Sequence, residues 1–299
     1  MNWNNIIHTI IFLSLTGPGI LGNILIFVRH TYMPALWIEK KPVDLILIHL
    51  AFSNLIIICS TGIRDIATVF YFRNFLGDTG CKTVVYLARM AQGLSICTTC
   101  LLSVVQAVTV NPRTSLWTKL KPQTACQVLP FILVFWIVNV LISSNLLSYI
   151  KAGSSLNGSV AAKFIGHCYM LQSRYIIKWF FLSLMTLRDV IFQSLMGWSS
   201  GSMALHLYNH HKRVLYLHNS KFANSAPEIR ATWSVLTLMT CFLFFYWVDL
   251  ILSFYTGFSV THDSSSLNMK TFLELGYASF SPYVLISRDI RVPNVLHAH

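Results

Sequence analysis

The chain has 299 residues, 55% of them hydrophobic and 11% charged, with a formal net charge of +12. A soluble domain carries about a quarter charged residues, so this composition argues against an ordinary soluble enzyme or binding module. The positive surplus does not point to nucleic acid, because the basic residues are spread among many loops, which suits attraction to anionic lipid.

Seven apolar stretches account for most of the chain. They centre on Ile6 to Val28, Asp44 to Ala67, Val84 to Val110, Val128 to Leu147, Ile176 to Leu207, Ala231 to Phe258 and Leu273 to Ser287. A helix rises about 1.5 Å per residue, so each stretch is close to the length that crosses a hydrocarbon core of about 30 Å. The runs are too long and continuous for barrel strands, whose outward residues alternate. The expectation is an all-α membrane protein, a seven-transmembrane helix bundle forming a single domain over residues 1–299, with no cofactor or metal.

The chain opens with the uncharged Met1-Asn2-Trp3-Asn4-Asn5 and runs straight into the first span, which is expected to be the insertion signal itself. His49 is alone in the second span and reads as a core histidine, and His210-His211 lies in a polar connector, so neither has zinc-site spacing. Cys81 opens the third span and Cys168 lies in the loop before the fifth, on the same side of the membrane. An oxidising compartment there makes a loop-to-helix disulfide the economical expectation. Cys59, Cys97, Cys100, Cys126 and Cys241 lie in or beside apolar helices and read as packing residues. Between spans four and five, Asn157-Gly158-Ser159 is a glycan acceptor triplet. Together with the excess of Lys and Arg on the opposite side, it predicts an extracellular amino terminus.

Charges within spans are costly in lipid and usually face the bundle interior or water. Helical rise puts Arg64 and Asp65 about 30 Å along from Asp44, Arg89 about 12 Å below Cys81, and Asp249 about 28 Å above Arg230. With Glu274 they form one layer in the outer half, while Arg188 and Asp189 come nearer mid-membrane. Arg64, Asp65, Arg89, Asp249 and Glu274, with Tyr86 and Tyr246, are therefore candidate ligand contacts; the alternative for the charges is structural pairing with one another. On the inner side Arg113, Lys119, Lys121, Lys212, Arg213, Glu228 and Arg230 can serve as solvated anchors at the headgroups. Pro282 in the last span frees a backbone carbonyl, making either a flexible point or a static kink. No G-x-S-x-G, H-E-x-x-H or phosphate-cradling glycine loop occurs, and an enzyme is not expected.

Several runs resemble a known family. Gly22-Asn23, the run His49 to Asn54, Cys81 with Cys168, and Trp136 resemble rhodopsin-like receptors in general. Thr16-Gly17, the run Gly93 to Ala107, Arg188-Asp189, the run Leu195 to Gly201, the run Ala226 to Thr232, and Ser281-Pro282 resemble the vomeronasal type-1 pheromone receptors more closely. Val104-Val105-Gln106 stands where the wider group carries Asp-Arg-Tyr, and Asn54 stands where a sodium-binding Asp is usual. The resemblance implies a chemosensory receptor of the plasma membrane for a small, pheromone-like organic molecule, acting through a heterotrimeric G protein whose candidate contacts are Arg113, Lys119, Lys121, Lys212, Arg213, Glu228 and Arg230. A bitter-taste receptor, a transporter and a structural membrane protein are the rival readings, although transporter-like paired halves are not visible.

Overall fold

A computed structural model describes residues 3–32, 41–69, 77–110, 125–152, 162–165, 168–171, 175–216, 226–258 and 264–290. Among them seven long helices follow one another: α1 (Trp3–Tyr32), α2 (Pro42–Val69), α3 (Asp78–Val110), α4 (Ala125–Ser143), α5 (Tyr175–Tyr216), α6 (Ala226–Phe258) and α7 (Ser264–Ile290). Most run beyond the apolar stretches read from the sequence, because the backbone ladder continues past the hydrocarbon-like segment until a breaker stops it. α7 starts at Ser264 rather than near Leu273, which brings Lys270 into a helix instead of a loop.

Among the described residues five helices hold a stretch long and apolar enough to cross a membrane: Ile10–Tyr32, Pro42–Arg64, Asp78–Thr109, Ala125–Ser148 and Trp179–His206. α6 holds the shorter apolar stretch Thr240–Ser253. α6 and α7 are also the helices that bring Asp249 and Glu274 into the bundle.

α3 is the central helix. Of its apolar stretch 83% is buried, against 22% for α4 and 17% for α5. The reason lies in what each helix presents. α3 carries the small residues Ala88, Ala91, Gly93, Ser95, Cys97, Thr98, Thr99 and Cys100, which let neighbours approach closely. α4 is apolar all round and exposes Phe131, Leu133, Val134, Ile137 and Leu141, as suits a helix facing lipid on one side. The core joins Ile46, Leu50 and Ile58 of α2, Leu94, Ile96 and Leu102 of α3, Met196 and Met203 of α5, and Phe242 of α6. α1 closes the ring against α7, where a Cβ on Gly22 would lie 2.9 Å from the Pro282 ring, so this contact needs glycine.

A four-residue helical turn, Leu146–Tyr149, leads from α4 into a small three-stranded antiparallel sheet that the sequence reading did not foresee. β1 (Ile150–Ala152) and β2 (Ala162–Ile165) flank β3 (Cys168–Leu171), with Cys168 opposite Ala152 on one side and Ile165 on the other. Cys168 is disulfide-bonded to Cys81, with Cα atoms 5.6 Å apart, as expected from their placement. Cys81, Val85, Leu146, Ile150 and Cys168 form a second apolar cluster, so the sheet is anchored to the first turns of α3 both covalently and by packing.

Candidate ligand cleft and its charged layer

Charges from four helices converge at the Cys81 end of the bundle. Arg64 of α2 reaches Glu274 of α7 (Nη2 to Oε2, 3.4 Å), and Arg89 of α3 approaches the other oxygen (Nη1 to Oε1, 4.0 Å). Arg89 also donates to Gln92 Oε1 at 2.9 Å, one turn along the same helix face. Gln92 in turn donates from Nε2 to Asp249 Oδ2 of α6 at 2.8 Å. Lys270, one turn before Glu274, donates to Ser253 Oγ of α6 at 2.7 Å. The layer is a chain of charges and amides rather than a set of isolated pairs, which is how charges persist inside a low-dielectric bundle.

A narrow cleft lies between α2, α3, α6 and α7 within this layer. Ile57, Ala88, Phe245 and Leu273 supply apolar walls, and Gln92, Asp249, Glu274, Tyr246 and Tyr277 supply polar groups. Its free space is about that of one water molecule.

Beneath the cleft a neutral hydrogen-bond network spans the bundle. Tyr246 donates to Ser95 Oγ at 3.2 Å, and Ser95 lies 3.1 Å from the Tyr277 hydroxyl and 3.0 Å from Asn54 Oδ1. Asn54 donates to Ser281 Oγ at 2.8 Å and to Asn23 Oδ1 at 3.3 Å. Thr99 donates its proton to the Ser95 carbonyl, so it accepts from Tyr277 at 2.8 Å. Two cleft residues, Tyr246 and Tyr277, are thereby tied to α1, α2 and α3.

Arg188 and Asp189 of α5 sit just below the charged layer and pair with each other at 2.8 Å. Arg188 also donates to Asn139 Oδ1 of α4 at 2.6 Å, directly against Gly93 of α3.

The sequence-derived candidates divide accordingly. Asp249, Glu274 and Tyr246 line the cleft, and Arg64 and Arg89 bind Glu274 behind it. Tyr86 is half-buried on α3 and lies outside the cleft lining. Asp65 is in α2, but its side chain lies outside the described set. Arg113, Lys119, Lys121 and Asn157 fall outside the described residues; Lys212 is exposed near the end of α5. Arg213, Glu228 and Arg230 are helical, with side chains outside the described set. Sequence reasoning missed Gln92, Lys270, Ser95 and Tyr277. The signal for Gln92 was present, an amide side chain three positions after Arg89 and so on the same helix face.

A profile of the vomeronasal organ pheromone receptor family matches residues 6–298. The chain belongs to this vomeronasal type-1 receptor family. It is 31% identical over 278 residues to vomeronasal type-1 receptor 4 of Homo sapiens, covering 93% of this chain and 92% of that one. Vomeronasal type-1 receptor 90 of Rattus norvegicus is 31% identical over 289 residues, covering 96% and 92%. Olfactory receptor class A-like protein 1 of Danio rerio is 32% identical over 286 residues, covering 93% and 88%. Membership makes this chain a chemosensory receptor of the G-protein-coupled kind, a multi-pass protein of the plasma membrane. The run that carried the vomeronasal resemblance in α3 is the run that meets its neighbours: Gly93 against Arg188 and Asn139, Ser95 and Thr99 against Tyr277, Cys97 against Asn139.

Proposed function

We propose that this vomeronasal-family receptor spans the membrane seven times with its amino terminus outside, admits a small organic ligand to the cleft at the disulfide end, and activates a heterotrimeric G protein at the other end. The observation that carries this reading is the convergence of Arg64, Arg89, Asp249 and Glu274, from four helices, on one narrow cleft with apolar walls. Buried charge of this kind is expensive in a membrane, and its convergence on a cavity is what a ligand site requires.

The cleft has room for about one water, so a ligand of several heavy atoms enters by parting α6 and α7 from α3. Tyr246 and Tyr277 move with those helices, and both bond to Ser95. Displacing them rearranges the Ser95, Asn54 and Ser281 bonds in the middle of the bundle, favouring a second packing. The inner ends then open toward the G protein, with Lys212, Arg213, Glu228 and Arg230 on α5 and α6 and Arg113, Lys119 and Lys121 in the second inner loop as its contacts.

Ligand-evoked guanine-nucleotide exchange on an added G protein tests the reading. Exchange that depends on the chain and on the ligand is expected. Solute flux into sealed vesicles without exchange would replace it with a transporter.

A further inference from the structure

Within the charged layer, the acceptor oxygens can be matched to donors one by one. Glu274 presents its two oxygens to Arg64 and Arg89. Gln92 uses its carbonyl for Arg89 and its amide for Asp249 Oδ2. Lys270 donates to Ser253. Asp249 Oδ1 remains, buried and with no hydrogen-bond donor among the described residues, in a residue that is 8% exposed and lines the cleft. A buried carboxylate oxygen without a donor is strongly disfavoured relative to one that has a donor.

The surroundings restrict what that donor can be. Among the described residues Lys270, Glu274 and Arg89 act electrostatically on Asp249, with Arg64 behind Glu274, so three cations stand against the two carboxylates Asp249 and Glu274. A protonated amine would add a further positive charge beside Lys270, and an anionic head would bring no proton for Oδ1. A neutral hydroxyl supplies the proton and leaves the charge balance as it is. Ile57, Ala88, Leu273 and Phe245 then enclose an apolar body.

We propose that Asp249 is the specificity-determining acceptor of the cleft, selecting compact apolar alcohols through a hydrogen bond from the ligand hydroxyl to Oδ1. The assignment rests on the receptor reading above and adds the chemistry of the ligand.

Matched alcohol and ketone pairs with one carbon skeleton isolate this contact: borneol and camphor, menthol and menthone, cyclohexanol and cyclohexanone, with bornylamine as the cation. Affinities are read from ligand-induced shifts in thermal unfolding of the purified full chain in lipid nanodiscs. The alcohol of each binding pair should bind about tenfold more tightly than its ketone, and borneol more tightly than bornylamine. In Asp249→Asn the preference should reverse. Gln92 Oε1 is held by Arg89, so Gln92 Nε2 still has to donate to position 249; the new amide turns its oxygen to Gln92 and its NH2 into the cleft, where it serves a ketone. Should Asp249→Asn fail to fold, Asp249→Ser is expected to reduce the preference to below about threefold.

Equal affinity within the wild-type pairs, no binding by any of the alcohols, or an unchanged preference in the position 249 variants would overturn the proposal. Nucleotide exchange is scored separately. Alcohol binding without exchange would defeat the receptor reading and leave the role of Asp249 standing, whereas exchange evoked equally by alcohol and ketone would do the reverse.

Discussion

Asn23 of α1 donates its side-chain amide to the backbone carbonyl of Ala278 at 2.9 Å. Ala278 lies four residues before Pro282, so it is the carbonyl that the imino nitrogen of Pro282 cannot serve. The opening that proline leaves in α7 is thus closed from α1, at the level where Gly22 lets the two helices touch. Replacing Asn23 by Leu should leave that carbonyl with only the long 3.5 Å contact from Ser281 Oγ and cost about 1–3 kcal/mol. Restoring the N–H with Pro282→Ala should recover part of the loss in the double variant. Thermal unfolding of the four proteins of the cycle measures this, and strictly additive losses would refute the link.

Gly93→Ala should destabilise the bundle by about 1–3 kcal/mol, because the added methyl would collide with Asn139 Oδ1 and the Arg188 guanidinium. Asn139→Ala on the same background should relieve the collision in part. A melting temperature unchanged by Gly93→Ala would mean that α3, α4 and α5 do not meet as closely as described.

The charged layer makes a quantitative prediction. Arg64 meets Glu274 directly, while Arg89 reaches Asp249 through Gln92. Double-mutant cycles to Ala should therefore give a coupling above about 1 kcal/mol for Arg64 with Glu274 and a smaller one for Arg89 with Asp249. Gln92→Ala should reduce the smaller coupling to the direct electrostatic attraction that remains between Arg89 and Asp249. Thermal unfolding of each set provides the comparison, and a larger Arg89–Asp249 coupling would contradict the bridge.

Breaking the disulfide with Cys81→Ser or Cys168→Ser should lower stability by about 2–5 kcal/mol and reduce surface receptor, since the bond closes a loop of 87 residues and anchors β3 to α3. Both variants should behave alike. Wild-type protein treated with a reductant should melt at the temperature of the variants, and normal surface levels in either variant would count against the anchoring role.

The proposed topology predicts that an epitope placed beside Asn157 is reached by antibody on intact cells. It also predicts that enzymatic glycan removal shifts the mass of the wild type but not of Asn157→Gln. Access only after permeabilisation would invert the orientation.

Much of the architecture was legible in the sequence because the membrane restricts the choices. A long apolar run in lipid has to be a helix, a charge within it has to turn inward, and two cysteines on the oxidising side within reach of each other tend to pair. Those constraints act on one segment at a time, and from them came the helical bundle, the Cys81–Cys168 bond and the layer holding Arg64, Arg89, Asp249 and Glu274. Which partner each charge takes is a different kind of fact. It depends on the rotation and tilt of four helices relative to one another, to which composition and hydropathy are blind. Tertiary structure therefore decided that Arg89 and Asp249 are bridged by Gln92, that Lys270 belongs to α7 and bonds Ser253, and that Asn23 fills the gap left by Pro282. The small sheet carrying Cys168 was equally hidden, because three strands of three or four residues have too little periodicity to stand out from a loop.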